Sequence, residues 1–339
     1  TFVPFEVATA TGARVVGKYL YVTSWKTFSI YDIEDPENPA RVATVPFGFK
    51  FENEDVGTNG KIMLFSETTP QSILHVWDVR DKANPVEIAA LNGAGQHTTD
   101  CILNCTWGYG SDGAITDLRD PANPKLMEES WGDGMPASGG HDVTEVAPGI
   151  VLTSTNPMML LDARKDPRHP KLLAVSEQAE GFVHSNLWPR GGRDNFAIST
   201  GETWVPGANA RCTEASAGIS SWDGTHWKKT KSITLIDTYK MVNGTVADGN
   251  PPGANPTFGC SSHWFDTHPK FNNGGLVAAG FYNHGTRFIQ VASNGKLKEI
   301  GYFYPYQGAT SAAYWVTDEI VYAIDYQRGF DVLRYTGKV

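Results

Sequence analysis

Four histidines occupy matched places in this sequence. His97 opens His97-Thr98-Thr99-Asp100, His141 opens His141-Asp142-Val143-Thr144, His184 opens His184-Ser185-Asn186-Leu187, and His263 opens His263-Trp264-Phe265-Asp266. Neutral imidazole is the commonest ligand for Zn, Cu, Fe and Ni. Four rings brought to one point would offer a four-nitrogen metal set, catalytic if a coordination position stays open. An all-imidazole set suits iron or copper redox chemistry, with zinc as the third choice. Metal-bound imidazoles need an acceptor for the other ring N–H. Asp100, Asp142, Glu145 and Asp266 are near enough in sequence to serve, and Glu52 in Phe51-Glu52-Asn53-Glu54-Asp55 faces the same place. His284 and Tyr282, in Tyr282-Asn283-His284-Gly285, are candidates for catalytic acid and base.

What could position these residues is a repeated phrase. Phe28-Ser29-Ile30-Tyr31-Asp32 runs through Asp35-Pro36-Glu37-Asn38-Pro39, and returns as Leu74-His75-Val76-Trp77-Asp78 through Asn84-Pro85. It returns again as Ala114-Ile115-Thr116-Asp117 through Asn123-Pro124, and as Met159-Leu160-Leu161-Asp162 through His169-Pro170. The aspartates are 46, 39 and 45 residues apart, a period that signals stacked supersecondary units. Each phrase reads strand, turn, strand: a β-branched and aromatic run, an Asp-Pro or Asn-Pro turn, then a second run. Weaker copies at Ile233–Asp237, Arg287–Val291 and Gly329–Tyr335 bring the count of third strands to seven. The expectation is an all-β chain, one domain over 1–339, folded as a seven-bladed β-propeller of four-stranded blades. Val3 to Ala8 would supply the missing outer strand of the last blade and cover its edge. On that frame the matched histidines all begin inner strands, on one face.

The Asp-Pro-x-Asn-Pro phrase resembles the LVIVD-repeat propellers, named for an apolar run ending in Asp. The resemblance implies the fold and leaves activity open, since one fold hosts many. Gly140-His141 also looks like the Gly-His pair of WD-repeat propellers, whose imidazole is hydrogen-bonded within its blade. Structural histidines are therefore the competing reading of the four rings.

Blade 5 is too long for the period. The excess falls at about 203–231 and 250–262, predicting a lid over the histidines that carries Trp204, Trp222, His226 and Trp227. Loops of this length in a compact fold are usually functional or disordered. The four cysteines pair by proximity and insertion as Cys101–Cys105 and Cys212–Cys260, the second stapling the lid. Disulfides imply an oxidising compartment, so a secreted or periplasmic protein is expected, consistent with a chain that opens at Thr1 as a processed protein would.

The formal net charge of −9 argues against nucleic acid or an anionic membrane as partner, and no apolar run is long enough to span a bilayer. The partner is expected to be a small-molecule or glycan substrate. The first functional reading is a secreted metal-dependent oxidoreductase. A metal-assisted polysaccharide lyase and a non-enzymatic protein- or glycan-binding propeller are the alternatives.

Overall fold

The computed structural model describes residues 1–4, 10–47, 54–67, 71–202, 218–241, 261–306 and 308–338. It divides into two compact units: Phe5–Thr153 with Met159–Leu173, and Thr1–Pro4 with Ser154–Met158 and Ala174–Val339. Both are all-β: most sheets are small antiparallel ladders of three or four strands, and one sheet runs to eight strands through a parallel pairing. We number the ladders along the chain.

The first unit holds ladder 1 (Ala10–Val16, Tyr19–Ser24, Thr27–Asp32, Ala40–Pro46), ladder 2 (Ile62–Glu67, Ile73–Asp78, Val86–Asn92) and ladder 3 (Thr99–Ile102, Trp107–Gly110, Ala114–Asp117, Lys125–Ser130). Its ladder 4 has Val143–Ala147, Ile150–Thr153 and Met159–Asp162. The second unit holds ladder 5 (Val183–Leu187, Phe196–Gly201, Ile219–Asp223, Ser232–Tyr239), ladder 6 (Phe265–Thr267, Gly275–Gly280, Thr286–Val291, Leu297–Phe303) and ladder 7 (Thr310–Trp315, Ile320–Asp325, Gly329–Arg334).

Inner strands are buried on both faces, which is why they read as continuous apolar runs. In ladder 2, Met63 and Phe65 pack with Tyr21, Phe28 and Ile30 of ladder 1, while Leu64 packs with Cys101 and Leu118 on the ladder 3 side. Ile102, Trp107 and Ile115 then pack with Val143, Val151 and Leu161 of ladder 4. The second unit repeats the scheme. Val277 and Ala279 face Phe196, Ile198 and Ile219 of ladder 5, and Leu276 and Ala278 face Ala313, Trp315 and Val321 of ladder 7. The period-2 alternation of a strand thus feeds two successive cores. Outer strands such as Ala40–Pro46 are largely exposed, and their sequences alternate with polar residues accordingly.

The repeated turn has a local cause. Asp35, Asp81 and Asp120 each accept the backbone N–H two residues on, and the side-chain amide of Asn38, Asn84 or Asn123 three residues on. Asp166 does the same with Arg168 N–H and the His169 ring. Just before it, Asp78, Asp117 and Asp162 each clamp the Arg two positions later. Side-chain capping of this kind is what favours Asp and Asn in turns.

The N-terminal strand joins the last ladder: Phe2, Val3 and Pro4 pair antiparallel with Asp331, Phe330 and Gly329. Of the expected Val3 to Ala8, residues 5–8 lie outside the described residues.

One strand assignment is corrected. In ladder 5 the third strand is Ile219–Asp223, which pairs with Phe196–Gly201 on one side and Ser232–Tyr239 on the other. Ile233–Asp237, expected as the third strand, belongs to the outer fourth. Val175 and Ser176 pair in parallel with Ser232 and Ile233, covering that outer edge.

Candidate metal centre

The second unit brings three donor side chains together. His184 lies in the first strand of ladder 5, Glu202 follows its second strand, and His263 precedes the first strand of ladder 6. One ligand atom from each falls within 4.8 Å of the others. His184 and His263 are fully buried, with ring centroids 4.1 Å apart. His263 Nε2 lies 3.9 Å from Glu202 Oε1. That is too long for a hydrogen bond, but an ion bonded at about 2.0–2.2 Å to each can bridge it.

The protonation of His263 follows from its other nitrogen. Nδ1 lies 2.7 Å from the Ser311 carbonyl oxygen and 3.2 Å from the Ser311 hydroxyl. A carbonyl only accepts, so Nδ1 carries a proton, which leaves Nε2 as the nitrogen that faces Glu202 and that a metal would take from the neutral ring. A carboxylate oxygen and a neutral imidazole nitrogen held face to face attract a cation. Ser311 is held close by the backbone: a Cβ on Gly280 would come within 2.8 Å of the Ser311 carbonyl carbon and oxygen.

Aromatic side chains wall the group. Tyr282 donates its hydroxyl proton to Glu202 Oε1, and its ring lies 4.6 Å from that of His263. Tyr326 stacks on Tyr282 at 5.8 Å, and Trp264 stands edge-on to His184 at 5.3 Å. Tyr282 takes φ +32°, unusual for an aromatic residue, in the Phe281–Gly285 turn. His284 closes the same turn through its N–H to the Phe281 carbonyl. Burial, then the Arg287 charge, pushes its imidazole down to about 4, so it is neutral at physiological pH.

The first unit gathers the other two matched histidines around one carboxylate. Glu54 is buried, with Oε1 3.8 Å from His97 Nε2 and Oε2 3.8 Å from His141 Nε2. The two rings are 4.5 Å apart. A Cβ on Gly12 would collide with the Glu54 carbonyl oxygen at 1.6 Å, so only glycine lets the Glu54 backbone pass.

Each histidine pair therefore carries a glutamate, where the sequence reading expected imidazole alone. Neither glutamate was singled out. Glu52 was preferred to its neighbour Glu54, and Glu52 lies outside the described residues. Glu202 is the last residue before the stretch expected to form the lid, and Gly201-Glu202 at a strand end was the available signal.

The carboxylates expected behind the imidazoles have other work. Asp266 accepts the N–H groups of Thr267 and Trp315, and the acceptor for His263 is Ser311 instead. Asp100 pairs with Arg14 at 2.9 Å and accepts the Cys101 N–H. Asp142 accepts from the Thr144 hydroxyl, and Glu145 accepts from the Leu103 and Gly149 N–H groups.

The lid is also redrawn. Trp222 is fully buried in the third strand of ladder 5 and donates Nε1–H to Ser199 Oγ at 2.8 Å. His226 and Trp227 follow that strand, at the end of the ladder away from Glu202. There Trp227 packs edge-on to Trp188, in the connection between the first two strands. The cause is the strand correction: with Ile219–Asp223 third, these residues fall in the connection to the fourth strand. Trp204, Cys212 and Cys260 lie outside the described residues. Cys101 and Cys105 form a disulfide. No helix among the described residues is long and apolar enough to cross a membrane. No protein-family model matches the chain, and no curated protein matches it in sequence.

Proposed function

We propose that this chain is a secreted metal-dependent oxidoreductase built as one seven-bladed β-propeller of the LVIVD-repeat kind. Support for the fold comes from the ladders. Consecutive ladders share cores within each unit, and the N-terminal strand completes ladder 7. Secretion rests on the Cys101–Cys105 disulfide.

The observation that carries the function is His263 Nε2 directed at the Glu202 carboxylate across 3.9 Å, beside His184. Two imidazoles with one carboxylate suit non-haem iron, and also fit zinc. The glutamates make iron a better choice than copper. A bound iron would supply redox chemistry. The chain's own contribution is positional: Ser311 fixes the His263 tautomer, Tyr282 holds Glu202, and Tyr326, Trp264 and the buried His184 keep the surroundings dry. Low local dielectric strengthens every charge interaction there.

Elemental analysis of untagged protein tests this reading. Near-stoichiometric iron, lost in His263→Ala and in Glu202→Gln, is the expected result. Metal far below stoichiometry, with no activity gained on reconstitution, overturns it. The number of ions tests a second point. For the Glu54–His97–His141 group of the first unit, an ion that His141→Ala removes is the result that would give it a site of its own.

Polysaccharide lyase chemistry is the second reading, favoured by one observation: Tyr282 sits on His263 with its hydroxyl on Glu202, a proton-transfer set that needs no electron transfer. An iron EPR or visible signal that responds to oxidant favours the first reading over the second.

A further inference from the structure

The first unit contains a cavity of about 500 Å³ lined by Arg14, Thr58, Asn59, Asp100, Glu145 and the Cys101–Cys105 disulfide with its turn. Its volume is in the range of small-molecule sites. The rim is exposed at Asn104 and Pro148, so the cavity is reached from solvent. The turn at the rim is unusual. Leu103, Asn104 and Cys105 take φ of +53°, +58° and +58° in succession, a left-handed path that side chains disfavour. The disulfide closes it, Glu145 ties it through the Leu103 N–H, and Asn59 ties it through the Asn104 carbonyl and side-chain oxygen.

Among the described residues, the walls carry one cation and two carboxyls. Arg14 is the cation here, and it bonds Asp55 at 2.8 Å and Asp100 at 2.9 Å. Glu145 is the second wall carboxyl in the field of Arg14. With Asp55 behind the wall, three carboxyls share one guanidinium. Burial also holds the Asp100 and Glu145 carboxyls above the ordinary range, a penalty that a cation would reverse.

A bare metal ion does not fit this deficit. Among the described residues, the acid and histidine groupings whose donor atoms close within 4.8 Å do not include Asp100 or Glu145. These two carboxyls instead line a molecule-sized space. We propose that this cavity binds a small organic cation that donates N–H hydrogen bonds, a primary amine or a guanidinium. Its charge supplements Arg14, and its N–H groups reach Asp100 and Glu145 on the wall. The quaternary ammonium class is disfavoured, because it brings charge without donors.

Calorimetric titration of the intact protein with methylguanidinium and 1,4-diaminobutane tests the site. Tetramethylammonium, urea and calcium are the comparisons. The expected result is one saturable site for at least one N–H cation, with the three comparisons at least about tenfold weaker. Glu145→Gln keeps an acceptor for the Leu103 N–H and removes the charge. It should weaken the cation by about tenfold, as should Asp100→Asn, while His263→Ala should not change it. The disulfide and an unaltered melting profile in Glu145→Gln confirm that the variant is folded. No saturable binding of either N–H cation, tighter binding of calcium, or affinity unchanged in both carboxyl variants would overturn the proposal.

Discussion

The two residues that matter most around His263 are ones whose backbone or hydroxyl, not their identity as ligands, does the work. Ser311 acts through its carbonyl, and Tyr282 acts through one hydroxyl bound to Glu202. A hydrogen bond to a charged acceptor is worth about 1.5–3 kcal/mol. Tyr282→Phe removes that bond while leaving the ring against His263. We expect the metal stoichiometry to hold and the affinity to fall about tenfold, measured by competition with a chelator. Unchanged affinity would mean that Tyr282 does not position Glu202. Complete metal loss would mean that it is a ligand or a folding determinant. Residue types alone pointed to the four histidines and to Tyr282. They did not point to the glutamates or to Ser311, because those partners are set by which strand ends meet, and Ser311 contributes an atom that every residue has.

At the scale of the element, ladder 5 carries the main lesson. Ile219-Ser220-Ser221-Trp222-Asp223 and Ile233-Thr234-Leu235-Ile236-Asp237 both read as apolar runs ending in Asp. The second is the more aliphatic and matches the repeat more closely. Pairing favours the first, because Ser199, Ser221 and Trp222 fit a strand buried on both faces through hydrogen bonds of their own. The four third strands that carry the full phrase, and their turns, were legible because their Asp, Asn and His side chains cap local backbone, while Thr286–Val291 and Gly329–Arg334 were legible from their apolar runs alone. Choosing between two similar runs needed the ladder, which is a long-range pairing. Trp222→Ala separates core from lid. It should destabilise by about 3–5 kcal/mol as a buried aromatic truncation, read by denaturant unfolding, without altering metal stoichiometry at low temperature. Metal loss with unchanged stability would restore the lid. A second prediction joins strand to site. Gly280→Ala places a methyl 2.8 Å from the Ser311 carbonyl, so the acceptor of His263 must shift. Second-sphere disturbance of this kind typically costs about 10–100-fold in metal affinity. Affinity within twofold of the parent would show that the Ser311 carbonyl is not needed.

For the whole molecule, buried carboxyls set how stability answers to pH. Burial pushes Asp266 up to about 7, against the lowering effect of its bonds to the Thr267 and Trp315 N–H groups. It pushes Asp325 up to about 6 and raises Asp100, Asp142 and Glu145. An unfolded aspartate titrates near 3.9. Between about pH 4 and 7 the native state therefore holds protons that the unfolded chain has released, and stability falls as pH rises through that window. The Asp78–Arg80 clamp works oppositely. Its carboxyl is lowered to about 2, and what it contributes is lost only as pH falls below the unfolded value. That pair is exposed and screened by solvent, so it counts for little. Metal-free protein should melt at a higher temperature at pH 5.5 than at pH 8, by scanning calorimetry at fixed ionic strength. The double variant Asp266→Asn, Asp325→Asn should flatten that slope. A melting temperature that climbs toward pH 8, or a slope that the double variant leaves intact, would refute the assignment. Metal should bend the curve the other way, because imidazole and carboxylate ligands must be deprotonated to bind it. The difference between metal-loaded and metal-free curves should then widen with pH, whereas structural histidines would leave the two curves superimposed.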